Sequence, residues 1–331
     1  MKAVIVKQPG DASQLYLGEI SKPTPKENEL LVKVKSFGLN RMDILQREGK
    51  YPLPSDITDI LGVEIAGIVE EIGRDVTNYK IGDRVFGLIY GGAYAEYACL
   101  NESMAMLLPD QLTFQHGAAI PEVWFTAYQA LHLLAQIKEG QEILIHAGAS
   151  GVGLAIVQLA KMAKARRIFA TVGSDVKIKY VEEIGATKCI NYKTEDFKEK
   201  ILEFTNGRGV DIIIDFVGKD YWHKNIDCLV IDGRMILLAF LSGSNVDDVD
   251  LSVFLRKRIR VEGSNLRFRP LDYQINLRNE FYIKTLPHFF DNEPSLKVVI
   301  DREFDWTNIA DSHRHLESNT TIGKVIVNIN G

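Results

Sequence analysis

The chain has 331 residues, 46% hydrophobic and 25% charged, with a net charge of -5. That balance excludes a disordered polyelectrolyte, and the mildly acidic total gives no reason to expect nucleic acid or an anionic membrane as partner. The length suits about two domains, and Cys99, Cys189 and Cys228 show no CxxC spacing, which excludes a disulfide framework and a thiolate metal site.

The start, Lys2-Ala3-Val4-Ile5-Val6, is strand-like and too short for a signal core or a membrane span. The expectation is a cytoplasmic protein with no membrane association. Up to about residue 120, short β-branched runs such as Leu30-Leu31-Val32-Lys33-Val34 and Ile65-Ala66-Gly67-Ile68-Val69 are broken by Gly, Pro and Asn. These predict an irregular β-rich domain.

Near Pro109 the pattern changes. Helical segments then alternate with apolar runs at 142–146, 167–172, 188–190, 210–215, 233–238 and 259–262, which predicts an α/β domain built on a doubly wound parallel sheet. Past Asn265 follow a helix-like stretch around Tyr273 to Phe290, Lys297-Val298-Val299-Ile300 and a last strand from Lys324 to Ile329. These return to the first domain, so the boundaries expected are 1–120 with 265–331, and 121–264.

The run at 142–146 leads into Ala147-Gly148-Ala149-Ser150-Gly151-Val152-Gly153 and then a helix-like segment. A glycine turn between a buried strand and a helix admits a pyrophosphate to the backbone and to the helix N-terminus. Ser150, Gly151 and Val152 are the expected contacts. The second strand ends Thr171-Val172-Gly173-Ser174, with no acid at its end for a ribose hydroxyl. Beyond Gly173, the hydroxyl of Ser174, the charge of Lys177 and the phenol of Tyr192 favour the 2′-phosphate of NADPH over NADH. Asp175 is read as an acid complementing the dipole of the helix that begins there.

Gly38-Leu39-Asn40-Arg41-Met42-Asp43, Gly82-Asp83-Arg84-Val85, Pro121-Glu122-Val123-Trp124-Phe125-Thr126-Ala127 and the glycine turn together resemble the medium-chain dehydrogenase/reductase superfamily, and within it the quinone oxidoreductases. Tyr221 to Leu229 and Asp232-Gly233-Arg234 look like the p53-inducible branch. The resemblance implies a Rossmann sheet inserted in a GroES-like β-rich domain, and a homodimer. It adds Gly218 after the fourth strand, and Ala239, Phe240 and Leu241 after the fifth, as cofactor contacts.

The zinc enzymes of that superfamily need three protein ligands and an open position. By resemblance those ligand positions fall at Asn40, Val63 and Glu122, and the first proton-relay hydroxyl falls at Met42. One usable ligand does not hold zinc, so no metal is expected. What remains is direct hydride transfer to an acceptor already electrophilic, a quinone or a conjugated enone. Asn40, Asp43, Tyr51, Glu122 and Thr126 are expected to converge above the nicotinamide in an interdomain cleft, Thr126 as a cofactor contact. The resemblance favours Asn40 and Tyr51 as the reacting pair, with Asp43 otherwise a helix cap and either acid otherwise paired with Arg41. The second reading is an NADPH-binding sensor or structural protein with little turnover.

Overall fold

Apolar runs that alternate every second residue need a sheet with one covered face, and runs apolar throughout need one covered on both. The chain holds both kinds, in separate places. The computed structural model describes residues 1–51, 53 and 57–330, and it divides into two compact units, Met1–Phe125 with Arg267–Gly331, and Thr126–Leu266.

In the first unit the long strand Glu29–Gly38 is central. It pairs antiparallel with Glu64–Ile72, Tyr97–Asn101 and Lys324–Asn328. Register shifts between Leu31 and Val32 and between Val34 and Ser36 bend it, as bulges do, and so allow one strand three neighbours. Its inward face, with Leu30, Val32, Val34 and Phe37, is fully enclosed. Gly38 ends the strand where a Cβ would lie 2.3 Å from Glu64 Oε1 and 2.6 Å from the Ala118 carbonyl, so only glycine lets these backbones meet. The helix Pro121–Tyr128 is held by Phe125, whose ring meets Phe281 edge-on at 5.2 Å, on the helix Leu271–Lys284.

The second unit has six parallel strands, β1 (Glu142–Ile145), β2 (Arg167–Val172), β3 (Lys188–Asn191), β4 (Val210–Asp215), β5 (Leu229–Leu237) and β6 (Arg260–Gly263). Their order is β3-β2-β1-β4-β5-β6. The order reverses between β1 and β4, which opens a crevice at their carboxyl ends. Helix α1 (Gly151–Met162) follows β1, α2 (Asp175–Ile184) follows β2, and α3 (Phe197–Phe204) and α4 (Trp222–Cys228) cover the layer of Leu144, Phe169, Ile213 and Met235.

Three elements differ from the sequence reading. Strand β5 starts at Leu229 rather than Gly233: Leu229 pairs with Val210, then the register shifts and Asp232 takes a φ of 64°, so Asp232-Gly233 is a bulge inside the strand and not a turn before it. The helix expected through Phe290 ends at Lys284 and resumes as the short 3-10 turn Leu286–Phe289, because Pro287 lacks an N–H for the helical ladder. The strand expected at 297–300 runs instead from Ile300 to Asp305. Its polar alternation hides it, although it pairs with Lys324–Asn328 throughout.

Candidate active site

In the second unit the site begins where β1 ends. His146 is fully buried, with Nε2 2.7 Å from Asn225 Oδ1 and Nδ1 3.0 Å from Thr171 Oγ1. The amide oxygen only accepts, so the ring proton sits on Nε2 and Thr171 donates to Nδ1. Burial holds the imidazole's pKa below its ordinary value, and the neutral ring ties the strand end to β2 and α4. Ser150 then caps α1 by accepting the Gly153 N–H at 3.0 Å. A Cβ on Gly153 would lie 2.5 Å from the Ala147 carbonyl, which is how tightly the helix start sits on the turn. The N–H groups of Gly151 and Val152 have no intrahelical partner. N–H groups placed so, at the start of a 12-residue helix, have the geometry and partial charge that suit an anion.

Next to it, Ser174 precedes α2 without using its hydroxyl as a cap, which leaves that donor for a ligand. Lys177 lies in the same first turn, partly buried. The Tyr192 hydroxyl stands over Gly173, 2.8 Å from where a Cβ there would be. Asp175, the first residue of α2, is exposed and accepts from Asn191 Nδ2 at 3.0 Å, so its carboxylate is tied to the strand beside it. A cation, two hydroxyls and a helix start fit a phosphate on a ribose.

At the ends of β4 and β5, Asp215 accepts the N–H groups of Val217 and Gly218 at 2.8 and 3.1 Å. The Leu241 and Ser242 N–H groups donate to Phe216 and Val217 carbonyls. These bonds stitch the segment Ala239-Phe240-Leu241 to Gly218 and leave Phe240 and Leu241 as exposed apolar side chains, 52% and 59% accessible. Thr126 lies on the helix Pro121–Tyr128, partly buried.

The first unit holds a cluster of acids around one lysine. The Lys324 ammonium donates to the Leu39 carbonyl at 2.7 Å, Asn40 Oδ1 at 2.8 Å and Glu64 Oε1 at 2.7 Å. Asn40 Nδ2 donates to the same Glu64 oxygen at 2.8 Å, and Glu64 Oε2 accepts the Glu122 N–H at 2.8 Å. Lys324 and Glu64 are almost wholly enclosed, 5% and 0% accessible. Removing one partner of such a pair strands the other charge and costs about 3–5 kcal/mol.

Asp43 is fully buried. Its Oδ2 accepts the Asn40 N–H at 2.8 Å and the Tyr94 hydroxyl at 3.1 Å, so it does cap its helix. Burial pushes its carboxyl up to about 6. Tyr94 Oη lies 3.2 Å from His313 Nε2, and Arg47 donates to His313 Nδ1 at 3.2 Å. Since Arg47 only donates, the proton of His313 sits on Nε2 and points to Tyr94. Burial and the Arg47 charge press this imidazole down to about 3.

Glu122 is partly open, yet its dense surroundings, and the Glu64 charge after them, push its carboxyl up to about 8. Arg41 does not pair with Asp43 or Glu122. It donates to the Leu316 carbonyl and to Asn319 Oδ1 at 3.3 and 2.6 Å, which corrects that expectation. Tyr51 stacks under the Arg267 guanidinium at 5.4 Å. Burial raises its phenol pKa, which also feels the Arg267, Glu122 and Asp43 charges.

The sequence reading passed over Glu64, Lys324 and Arg267. Glu64 stood beside Val63 in Gly62-Val63-Glu64, the triplet read only for its missing histidine. Lys324 and Arg267 carried no local signal. Among the described residues, no group of three or more His, Cys, Asp or Glu is placed to hold a metal ion, and no helix is long and apolar enough to cross a membrane.

The chain matches the alcohol dehydrogenase GroES-like domain over residues 26–110 and the zinc-binding dehydrogenase domain over residues 151–279. It is 36% identical over 327 residues to quinone oxidoreductase 1 of Escherichia coli, covering 96% of each chain. Among solved structures it resembles the Escherichia coli quinone oxidoreductase complexed with NADPH, at 30% identity and a TM-score of 0.88 over 99% of this chain and 100% of that one. It also resembles the CurK enoyl reductase, at 27% identity and a TM-score of 0.87 over 99% of each chain.

Proposed function

Because the chain belongs to the quinone oxidoreductase family of the medium-chain dehydrogenases/reductases, we propose that it reduces quinones or conjugated enones with NADPH, by direct hydride transfer and without zinc. The chain is an NADPH-dependent oxidoreductase. When bound, NADPH supplies the hydride from its reduced nicotinamide.

The protein's own part is to bind and orient. The α1 start, with Ser150, Gly151 and Val152, takes the pyrophosphate, and Ser174, Lys177 and Tyr192 take the 2′-phosphate beside Gly173. Thr126, Gly218, Ala239, Phe240 and Leu241 complete the cofactor's surroundings. Asn40 and Tyr51 orient the acceptor, Tyr51 by its hydroxyl and Asn40 by the amide hydrogen and lone pair left after Glu64 and Lys324 have taken theirs.

The observation that carries the zinc-free reading is the Lys324 ammonium, bonded at 2.7 Å to Glu64 and 2.8 Å to Asn40. The Glu64 carboxylate, the buried acid of this centre, is already engaged by a fixed cation of the protein. With no Lewis acid to polarise a carbonyl, the acceptor must be electrophilic by itself, as quinones and enones are.

The test is NADPH consumption against a panel of ortho-quinones, para-quinones and conjugated enones, with NADPH binding measured in parallel. Turnover of at least one class is expected. Tight NADPH binding with no turnover on any of them would overturn the reading. Lys177→Ala tests the cofactor separately: losing a charge-assisted contact worth about 1.5–3 kcal/mol lowers the NADPH over NADH preference by about tenfold or more, and an unchanged preference would remove Lys177 from the phosphate site.

A further inference from the structure

Hydride transfer to a quinone leaves two electrons on the acceptor and a negative charge on an oxygen. Some group must place a proton there. We propose that Glu122 is that general acid, giving its carboxyl proton to the oxygen of the reduced acceptor. This rests on the quinone and enone reading above. The Glu122 O–H bond breaks, the acceptor O–H bond forms, and the carboxylate left behind regains a proton from water before the next turnover, so one NADPH and one proton are consumed per quinol made.

The geometry separates Glu122 from its neighbours. Glu64 is saturated by Asn40, Lys324 and the Glu122 N–H, so it has no oxygen left to serve a substrate. Asp43 is fully enclosed and has no route to a substrate. The Glu122 side chain forms no hydrogen bond among the described residues, while its backbone is fixed at 2.8 Å to Glu64. It is partly open, so it can meet both acceptor and water. The charges facing it are Glu64 and Asp43, which favour the protonated form, and Lys324 and Arg267, which oppose it. Dense packing decides the balance in favour of the acid.

A carboxyl without a hydrogen-bond partner, in dense surroundings that hold its proton near working pH, is the kind of group that serves as an acid in an active site. Tyr51 is the rival donor. Its phenol, raised above an ordinary value of 10.0, is a weaker acid than a carboxyl near 8.

The experiment uses the full chain with NADPH and menadione as probe acceptor. For the wild type, kcat should be level at neutral pH and fall as pH rises through about 8. Glu122→Gln should lower kcat by about a hundredfold and lose that alkaline limb, with KM for NADPH unchanged. Glu122→Asp, which keeps a carboxyl, should retain the limb and recover part of the rate. Independently of turnover, infrared spectra of the wild type without ligands should show a protonated carboxyl at neutral pH that titrates near 8 and is absent from Glu122→Gln.

A Gln variant with wild-type kcat and an intact alkaline limb overturns the proposal. So does a missing protonated band at neutral pH. Failure of the wild type to reduce menadione or any quinone or enone would instead strike the functional reading, and the proposal with it, whereas the infrared titration fails only if Glu122 itself is misassigned.

Discussion

Lys324 and Glu122 act on their surroundings in opposite ways. The ammonium fixes Glu64 and Asn40, and the pair's neighbour Glu122 then carries a proton that an isolated carboxyl would have lost. This has a consequence for stability. Unfolded, Glu122 ionises near 4.5, and folded near 8. The unfolded chain therefore holds fewer protons across that range, and stability falls as pH rises through it. His313, pressed from 6.5 to about 3, and His146, lowered likewise, act with the other sign, losing stability as pH falls below 6.5. Asp43 acts in the direction of Glu122, but only up to about 6. The buried histidines still oppose it just above 6.5, where an unfolded imidazole is half-protonated, and toward 8 Glu122 sets the slope. Urea unfolding should thus show stability dropping by about 1 kcal/mol between about pH 7 and 8, and Glu122→Gln should flatten it. A wild-type profile that is already flat there would contradict the assignment.

At the scale of elements, the site depends on how closely α1 seats on the turn after β1. A Cβ on Gly153 would press within 2.5 Å of the Ala147 carbonyl and 2.8 Å of the Gly148 carbonyl. Gly153→Ala must push the helix start outward and misplace the free N–H groups of Gly151 and Val152. Titration calorimetry should find NADPH binding weakened by about tenfold or more, a loss of about 1.4 kcal/mol, while the far-ultraviolet dichroism keeps its wild-type shape. Unchanged affinity would mean that the turn does not hold the pyrophosphate.

This turn was legible in the sequence because strand, glycines and helix are contiguous there. The parallel strands were legible too, since burial on both faces leaves short apolar runs such as 143–145 and 212–214. The start of β5 was not, because a bulge at Asp232 looks like a turn when only residue types are read. The acid cluster was less legible still. Glu64 and Lys324 stand 260 residues apart, and no local pattern marks a lysine for burial. Nor could periodicity tell that Arg41 would turn away toward Leu316 and Asn319, which left Glu122 looking like half of an ordinary ion pair.

For the whole molecule, β6 closes one edge of the six-stranded sheet with its outer side unpaired among the described residues, and free edges of this kind are usually covered or blunted. We propose that two copies meet along β5 and β6. Sedimentation should give a species of twice the 37.2 kDa chain mass, and a monomer at all concentrations would refute this. The proposed dinucleotide phosphate site belongs to one unit and the acid cluster organised by Lys324 to the other, and the proposed reaction gives no role to a metal. Its most direct test is NADPH oxidation with menadione by protein stripped with a strong chelator and verified as metal-free. Undiminished turnover that added zinc does not increase is the expected result. Activity lost on stripping and restored by zinc would contradict it.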